Sequence, residues 1–508
     1  MNDECISDLY RRRFLRLVAT SLFALSAAPN LIERLSMGRA DAAVGYRPVS
    51  YLRTEKGKTF VVANGQPYLM YGIQLRIDHI IWNPTAQTDW TRADHYFERA
   101  RAIGFRTVVV PAAWSYIEQS EGNYQFAYYV DKIIESADKY DLSIQLLWYG
   151  SDVCGYNFVP PYVRNDRVRF PRTAKYDTFY DLSSPSLIKA ESAALSALMN
   201  RLADIDIHNR VIMIQIENEP DGAGDLVNTV NWGDSNDKAA KMFAGSQFDA
   251  AAALMNTLGD IVHRSRRNVV TRCNVGTPYR SLDLYLALRQ AGTGLDIVGV
   301  DTYSDDPKTT KSVLTTIPVE TVGNVSHQPE GDATAPNLIN LVLSDFEEGG
   351  GFLIYDLIGL YRGSESADPS TWSGRDGLDK FRSFNQLVYK ADKMIAVTPK
   401  GKSAAFNVAG NAGNWKEQRT VGTTLVTFET SNGGAAFAIQ DINDDLILMN
   451  LTDGGEFTLD LTHTRAPAVS LGSFDQNNIW REQGKKAIVD GTLTLSAGDV
   501  ARIPVKRT

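Results

Sequence analysis

Apolar runs alternate with amphipathic segments over most of the chain. Runs such as FRTVVVPAAW (105–114) and RVIMIQIENEP (210–220) predict buried strands. Between such runs, segments such as YVDKIIESADKYD (129–141) place apolar residues at helical spacing. Eight strand–helix pairs in about 340 residues predict a (β/α)₈ TIM barrel over residues 43–400. A doubly wound sheet is disfavoured, because no G-x-G-x-x-G motif follows the first strand.

The pattern differs at both ends of this barrel region. At its start, two apolar runs flank Asn64-Gly65, a dipeptide that predicts a two-residue hairpin turn because both positions need positive φ. After residue 400, short alternating runs such as TLVTFET and DLILMNLT are separated by Gly, Asn and Asp. This pattern of short alternating runs and turn residues predicts an accessory β-sandwich over residues 401–508. The sequence favours packing of this domain on the barrel over carbohydrate binding.

Residues 1–42 are typical of a targeting segment. Arginines in LYRRRFLR precede an uncharged run of about 16 residues, and RADAA supplies small residues for cleavage near Ala42. The run includes Pro29 and is too short for a stable membrane span. This segment resembles a bacterial twin-arginine signal peptide, which implies export to the periplasm or the extracellular space.

Composition and cysteine usage narrow the function classes. The net charge is −8, and no basic stretch interleaved with aromatics follows the N-terminus, so a nucleic-acid partner is disfavoured. Outside the targeting segment, which holds Cys5, only Cys154 and Cys273 are present. One bridge between them stays open, but there is no disulfide framework. No Cys/His cluster has metal-ligand spacing, and we expect no metal and no cofactor.

Acidic residues stand where two apolar runs end. Glu219 ends the fourth predicted strand, and Glu330 ends the seventh, in NVSHQPEGD. In barrels of this kind the catalytic groups come from the carboxyl ends of the strands. Two carboxylates at such positions are what glycoside hydrolysis requires, one as acid and one as nucleophile. Glu217 and Glu219 share strand parity, so we expect them to face the same side, and Glu217 is either a second site acid or a structural ion.

Several motifs resemble one large clan of retaining TIM-barrel glycoside hydrolases. The motif QIENE is similar to that of family 35 β-galactosidases, and PAAWSYIEQSEGNYQF resembles a segment of families 35 and 42. The segments LLWYGSDVCGYNFVPPYVRNDRVRFPR and QPEGD resemble a related bacterial subgroup. The resemblance implies that Glu219 is the acid/base, that Asn218 binds the sugar 2-hydroxyl and that Glu330 is the nucleophile. Glu347 and Glu348 are rejected as nucleophiles, because we expect a solvated helix end there.

Further residues near the strand ends are candidates for substrate binding or for the structure of the barrel rim. Arg76 could orient a carboxylate, Trp148 and Tyr149 could stack on a sugar, and a tyrosine at the sixth strand could bond the nucleophile. The candidates are Gln74, Arg76, Trp114, Glu118, Trp148, Tyr149, Asn274, Asp301, Tyr303 and His327.

Together these features predict an exported retaining exo-glycosidase, similar to the β-galactosidases, that acts on an oligo- or polysaccharide. An endo-acting β-glycanase of the same clan and a non-catalytic carbohydrate-binding barrel are the alternatives. Twin-arginine export also suits cofactor-loaded oxidoreductases, but no cofactor motif favours that class. Sugar, linkage and oligomeric state stay open.

Overall fold

The structure is a computed structural model, and residues Val49–Thr508 form one compact unit. The targeting segment, Cys5 and Cys154 lie outside the described residues. The structure describes residues 48–82, 84–153, 157–172, 180–220, 238–275, 287–288, 290–301, 326–327, 335–363, 367–407, 413–431, 433–441, 443–451, 455–459, 468–475 and 479–504.

A three-stranded antiparallel sheet precedes the main sheet. Asn64 and Gly65 form its second turn with φ of 51° and 77°, which confirms the predicted two-residue hairpin. The serine hydroxyl of Ser50 links the sheet to the fourth barrel strand by donating to the carbonyl of Ile212 at 2.6 Å. The three strands are β1 (Ser50–Glu55), β2 (Lys58–Ala63) and β3 (Gln66–Tyr68).

The eight predicted barrel strands are all present and pair in parallel. Their side chains are mostly apolar and buried, as expected for strands covered on both faces. In chain order the strands are β4 (Tyr71–Gln74), β5 (Thr107–Ala113), the separate short pair β6 (Glu118–Ser120) and β7 (Asn123–Tyr124), β8 (Ser143–Val153), β9 (Val211–Asn218), β10 (Val270–Val275), β11 (Ile297–Val300), β12 (Ser326–His327) and β13 (Phe352–Ile354).

The order of these strands is that of a barrel opened at one seam. The sheet runs β11-β10-β9-β8-β5-β4-β13-β12, so consecutive barrel strands lie side by side except at β11 and β12, and the last strand, β13, pairs with the first, β4. Within the described residues no ladder joins β11 to β12. The structure therefore shows a curled parallel sheet, and its closure into a full barrel is a proposal.

Helices follow the strands and cover the outside of the sheet, where their apolar faces are buried. The long helix after β8 buries Leu187, Leu195 and Leu198. The helices are α1 (Thr91–Ala102), α2 (Trp114–Ile117), α3 (Val130–Tyr140), α4 (Pro161–Asn165), α5 (Pro185–Ile205), α6 (Lys238–Arg264), α7 (Ala335–Glu347), α8 (Leu378–Val388) and α9 (Asp392–Val397), with 3₁₀ turns at Ile77–His79, Leu357–Leu360 and Pro369–Thr371. In the described part of the chain, no helix combines the length and apolarity needed to span a bilayer.

The C-terminal region consists of antiparallel sheets. A six-stranded sheet (β16-β19-β20-β25-β22-β23) and a four-stranded sheet (β17-β18-β21-β24) bury a common apolar cluster. The remaining strands are the pair β14 (Tyr361–Arg362) and β15 (Ser373–Gly374), then β16 (Ser403–Phe406), β17 (Trp415–Val421), β18 (Thr424–Thr430), β19 (Ala436–Gln440), β20 (Leu446–Asn450), β21 (Gly455–Leu459), β22 (Ala468–Phe474), β23 (Trp480–Ala487), β24 (Thr492–Leu495) and β25 (Val500–Ile503).

This region packs on α7, and the contact corrects one expectation. Phe346 meets Phe437 edge-on, with ring centroids 6.4 Å apart. Glu347 is only 7 % exposed and pairs with Arg419. The side chain of Glu348 is also buried and pairs with a lysine, Lys400. The helix end is therefore not solvated as predicted, because the C-terminal strands cover it and supply the counter-charges.

Candidate active site

The backbone is irregular where β9 ends. Glu217 and Glu219 have φ of 57° and 44°, in the left-handed region that costs a residue with a side chain about 1–3 kcal/mol. The register between β8 and β9 also shifts, so that Trp148 pairs with Ile216 but Val153 pairs with Asn218. Such irregularities re-aim side chains and are common beside active sites.

As a result, Glu217 and Glu219 do not face the same side. Glu217 turns towards β8, where the amides of Gly150 and Ser151 donate to its two oxygens at 3.1 and 2.9 Å. Glu219 lies towards β10, and its amide donates to Oδ1 of Asn274 at 3.2 Å. The parity argument is wrong here, because a residue with positive φ breaks the alternation of a regular strand.

Glu217 lies in an enclosed cluster of polar groups. It is 0 % exposed, and so is Glu191 on α5. Glu191 accepts from Nε1 of Trp148 at 2.9 Å and from Oγ of Ser151 at 2.7 Å. A methyl group placed on Gly150 would collide with a carboxylate oxygen of both glutamates, so the two acids approach the same point of β8. Trp148 is thus held beneath the strand end rather than presented to solvent.

Glu219 belongs to a second network, which spans the ends of three neighbouring strands. Nδ2 of Asn274 donates to Asn218 at 3.1 Å and to Asp301 at 2.7 Å. Nε2 of Gln215 lies 2.8 Å from Oδ1 of Asn274 and 3.0 Å from Oδ1 of Asn218. The network therefore places two predicted site residues, Asn218 and Asn274, directly beside Glu219.

Asp301 completes this network as a buried acid. It is 2 % exposed, its Oδ1 has no hydrogen-bond partner in the described part of the chain, and its carboxyl lies beside that of Glu219. Burial, and then the interaction with Glu219, raise the pKa of Asp301 well above its usual value. The site therefore places Glu219 beside an acid whose charged form is disfavoured.

A buried cation lies near this pair. Arg272, two residues before Asn274, donates to Oε1 of Gln145 at 3.1 Å and is 2 % exposed. Burial lowers the pKa of Arg272 to about 10, while the charge of Asp301 opposes that shift. The guanidinium stays charged at neutral pH and limits the cost of burying acids beside it.

The first strand contributes a separate group of residues. Nε2 of Gln74 donates to the hydroxyl of Tyr149 at 3.3 Å. Arg76 binds Asp78 through Nε and Nη2 at 3.1 and 3.0 Å, and also donates to the hydroxyl of Tyr355. The carboxylate that Arg76 orients in this structure is therefore that of Asp78.

Trp114 and Glu118 hold one another after β5. Nε1 of Trp114 donates to Oε2 of Glu118 at 2.6 Å, and the amide of Gly122 donates to Oε1 of Glu118 at 2.7 Å. Both side chains are buried. Their polar atoms are engaged inside the rim, and their substrate role stays a prediction.

Some predicted residues cannot be placed. Glu330 and Tyr303 lie outside the described residues, and His327 is described only as part of the β12 backbone. Cys273 is a buried free thiol. Within the described ranges, no group of three His, Cys, Asp or Glu side chains could hold a metal ion.

Sequence reasoning missed residues that support the acids. Glu191 lies on the buried face of α5, among apolar residues such as Leu187 and Leu195. Gln215 stands within the apolar run of β9. In both cases the available signal was a polar side chain at a position where the helix or strand periodicity predicts an apolar one. The link between Asp301 and Glu219 had no such signal, because it depends on the bend of β9.

Comparison with known proteins gives structural matches only. No family model and no curated protein matches the chain. A β-galactosidase from Marinomonas ef1 is similar over 66 % of this chain and 63 % of its own, with 12 % identity and a TM-score of 0.48. The exo-β-1,4-mannosidase Op5Man5 from Opitutaceae bacterium strain TAV5 covers 68 % and 63 %, with 12 % identity and a TM-score of 0.47. The catalytic domain of a β-amylase from Paenibacillus polymyxa covers 59 % and 96 %, with 10 % identity and a TM-score of 0.41. The match thus spans less than two thirds of the first two enzymes.

Proposed function

We propose that the protein is a retaining β-glycosidase, similar to the β-galactosidases, in which Glu219 is the general acid and base. One observation carries the proposal: Glu219 follows the end of β9 in a strained conformation, with its amide bonded to Asn274 and its carboxyl beside the buried acid Asp301. A general acid must hold a proton near neutral pH, and a buried site shared with a second carboxyl is the kind of environment that catalytic acids occupy. Backbone strain of this kind clusters at functional sites.

The first step uses the proton of Glu219. Its carboxyl donates the proton to the glycosidic oxygen while the bond from that oxygen to the anomeric carbon breaks. Glu330, assigned by its motif, supplies the carboxylate that forms a bond to the anomeric carbon. In the second step Glu219 removes a proton from water, and the water oxygen displaces Glu330. Asn218 would bind the 2-hydroxyl of the sugar beside the nucleophile.

Asp301 is a positioning residue in this scheme. The two carboxyls of a retaining pair lie about 5–5.5 Å apart to leave room for the sugar carbon between them. Asp301 follows β11, only two strands from β9 in the sheet, and lies beside Glu219 rather than across the mouth from it. The nucleophile must therefore come from another strand. A closed barrel would bring the end of β12, just before Glu330, to the mouth that Glu219 faces.

Export is part of the proposal, with residues 1–42 as a twin-arginine signal and the periplasm or exterior as destination. The substrate is then an oligo- or polysaccharide outside the cytoplasm. The charge of the whole chain, −8, gives no reason to expect a nucleic-acid partner.

A screen against aryl β- and α-glycosides tests the activity, with the anomer of the first product followed by NMR. Release of a β-sugar from a β-glycoside supports the retaining mechanism, and galactose as that sugar supports the specificity. First release of the α-anomer from a β-glycoside would overturn retention. Cleavage of a polysaccharide without cleavage of any aryl glycoside would favour the endo-acting alternative. Carbohydrate binding without any cleavage would favour the non-catalytic barrel.

Azide rescue tests the assignment of Glu330. We expect Glu330→Ala to abolish turnover and leave the fold intact, because the covalent step has lost its nucleophile. Added azide then restores turnover with an α-glycosyl azide as product, since azide attacks from the face that Glu330 occupied. A β-azide, or full activity of the variant, would remove Glu330 from this role.

A further inference from the structure

A second polar hollow lies at the same end of the sheet, beyond β5 and β8. Its walls include Trp82, Gln119, Asn157, Phe158 and Arg164. The amide of Phe158 donates to the carbonyl of Gly150 at 2.8 Å. Its ring also meets that of Tyr149, with centroids 5.2 Å apart. The hollow therefore adjoins the strand end that flanks β9, but it contains none of the residues assigned to catalysis.

Trp82 presents a large free surface at this hollow. It is 69 % exposed, the most exposed aromatic side chain among those described. Its ring rests edge-on against the buried Tyr116, with centroids 5.8 Å apart, and the Tyr116 hydroxyl donates to the carbonyl of Asp78 at 3.3 Å. An exposed indole that is supported from one side offers a face on which an apolar C–H face of a sugar ring can stack.

The polar groups of the hollow are available to a ligand. In the described part of the chain, the side chain of Arg164 makes one hydrogen bond, from Nη2 to the carbonyl of Val159 at 3.2 Å. A guanidinium has five N–H donors, so most of those of Arg164 are left for solvent or ligand. The side chain of Gln119 is exposed, although its Nε2 donates to the carbonyl of Ser115, and Asn157 is half-buried. The remaining donors and acceptors of these two amides can bind sugar hydroxyls.

The charge around the hollow differs from that of the chain. Residues 161–172 contain four arginines and one aspartate, whereas the whole chain has a net charge of −8. Two of these arginines have local roles: Arg169 binds Glu121 at 2.5 and 2.6 Å, and Arg172 lies over the ring of Tyr180. Arg164 is the one at the hollow itself. A local cationic site on an acidic protein selects for an anionic group.

We propose that this hollow is a sugar subsite for an acidic residue of the substrate, with Trp82 stacking on the ring and Arg164 pairing with its carboxylate or sulfate. Gln119 and Asn157 would bind its hydroxyls. The proposal rests on the proposed function in one respect, since it takes the ligand to be part of the glycan that reaches Glu219. It deepens that function by naming the substrate class as an acidic glycan.

Binding titrations with the full chain test the subsite. The probes are three short β-linked oligosaccharides of equal length that end in a neutral hexose, in a uronic acid or in a sulfated hexose. We expect at least one acidic probe to bind about tenfold or more tightly than the neutral one, with the preference decreasing as salt rises. The acidic probe that binds more tightly, uronic acid or sulfated hexose, identifies the preferred anion as carboxylate or sulfate. Equal binding of all three probes would overturn the proposal.

Variants separate this subsite from general charge effects. Arg164→Gln should abolish the preference for the acidic probe, and Arg164→Lys should retain part of it. Arg169→Gln is the matched control, because it removes one positive charge from the same segment but not from the hollow; it should keep the preference. Trp82→Ala should weaken binding of every probe about tenfold. Loss of the preference in Arg169→Gln but not in Arg164→Gln would overturn the assignment.

The outcome is distinguishable from that of the proposed function. Acidic-probe binding in a protein that cleaves no glycoside would leave the subsite standing and remove the glycosidase activity. Cleavage of simple aryl glycosides without any acidic preference would remove the subsite alone. Circular dichroism of each variant confirms that the fold is retained.

Discussion

Two glutamates only two residues apart at the end of β9 have different surroundings. Glu217 is 0 % exposed and accepts from two backbone amides of the neighbouring strand. Glu219 is 9 % exposed, and the acid Asp301 lies beside its carboxyl. Glu217 also has an acidic neighbour, Glu191, so its two amide donors and its complete burial are what distinguish it. These partners, and not the residue type, make Glu217 a structural acid and leave Glu219 as the candidate catalytic one.

The largest effect should come from Glu219→Gln. We expect kcat/KM for substrates with poor leaving groups to fall by about 10²–10⁴, because the amide cannot protonate the glycosidic oxygen. Substrates with activated aryl leaving groups should lose much less. Steady-state rates across a series of leaving groups measure this dependence.

Glu118→Gln is the matched control, since it also removes a buried carboxylate from the rim, one that holds Trp114. It should change the rates without changing their dependence on the leaving group. An equally steep dependence in Glu118→Gln, or none in Glu219→Gln, would contradict the assignment.

Glu217, in contrast to Glu219, should matter for stability rather than for catalysis. Glu217→Ala leaves the amides of Gly150 and Ser151 without their acceptor in a buried place, so the free energy of unfolding should fall by about 2–4 kcal/mol. Glu217→Gln keeps one acceptor oxygen and should lose less. Urea unfolding at neutral pH measures both. A loss below about 0.5 kcal/mol in Glu217→Ala would mean that the amides find other partners.

Gly150→Ala probes the same enclosed cluster from the other side. The added methyl would collide with carboxylate oxygens of Glu191 and Glu217, so we expect a loss of about 1–3 kcal/mol in unfolding free energy. Gly484→Ala in β23 is the control, because nothing lies within 4 Å of its added methyl. Equal stability of the two variants would show that the cluster around Glu217 has room to relax.

The sequence predicted the elements much better than the geometry of the site. The eight strands follow from their apolar runs, and the hairpin at Asn64-Gly65 follows from its turn chemistry. The opposite directions of Glu217 and Glu219 could not be read, because parity assumes a regular strand and both residues have positive φ. The burial of Glu347 was missed for a different reason: its counter-charge, Arg419, comes from a distant part of the chain.

The last effect concerns Asp301 and is measured as a slope of stability against pH, whose sign distinguishes an acid with a raised pKa from one with a lowered pKa. Burial and Glu219 raise the pKa of Asp301 above its unfolded value of about 4, so above that pH the folded state binds more protons than the unfolded one. The contribution of Asp301 to the free energy of unfolding is therefore fully present below pH 4 and is lost as pH rises towards the folded pKa, by at most about 1.4 kcal/mol per pH unit. Asp301→Asn cannot titrate, and its decline over this range should be shallower in urea unfolding between pH 4.5 and 8.

Asp138→Asn is the control with the opposite sign. Despite partial burial, hydrogen bonds from Arg210 and His208 lower the pKa of Asp138. Its contribution is present above the unfolded pKa and is lost as pH falls through the folded one, so this variant should differ from the parent in slope only below about pH 4. Identical slopes for Asp301→Asn and the parent between pH 4.5 and 8 would mean that Asp301 holds no proton in this range. The contrast between Glu217 and Glu219 would then rest on exposure and on the amide donors of Glu217 alone.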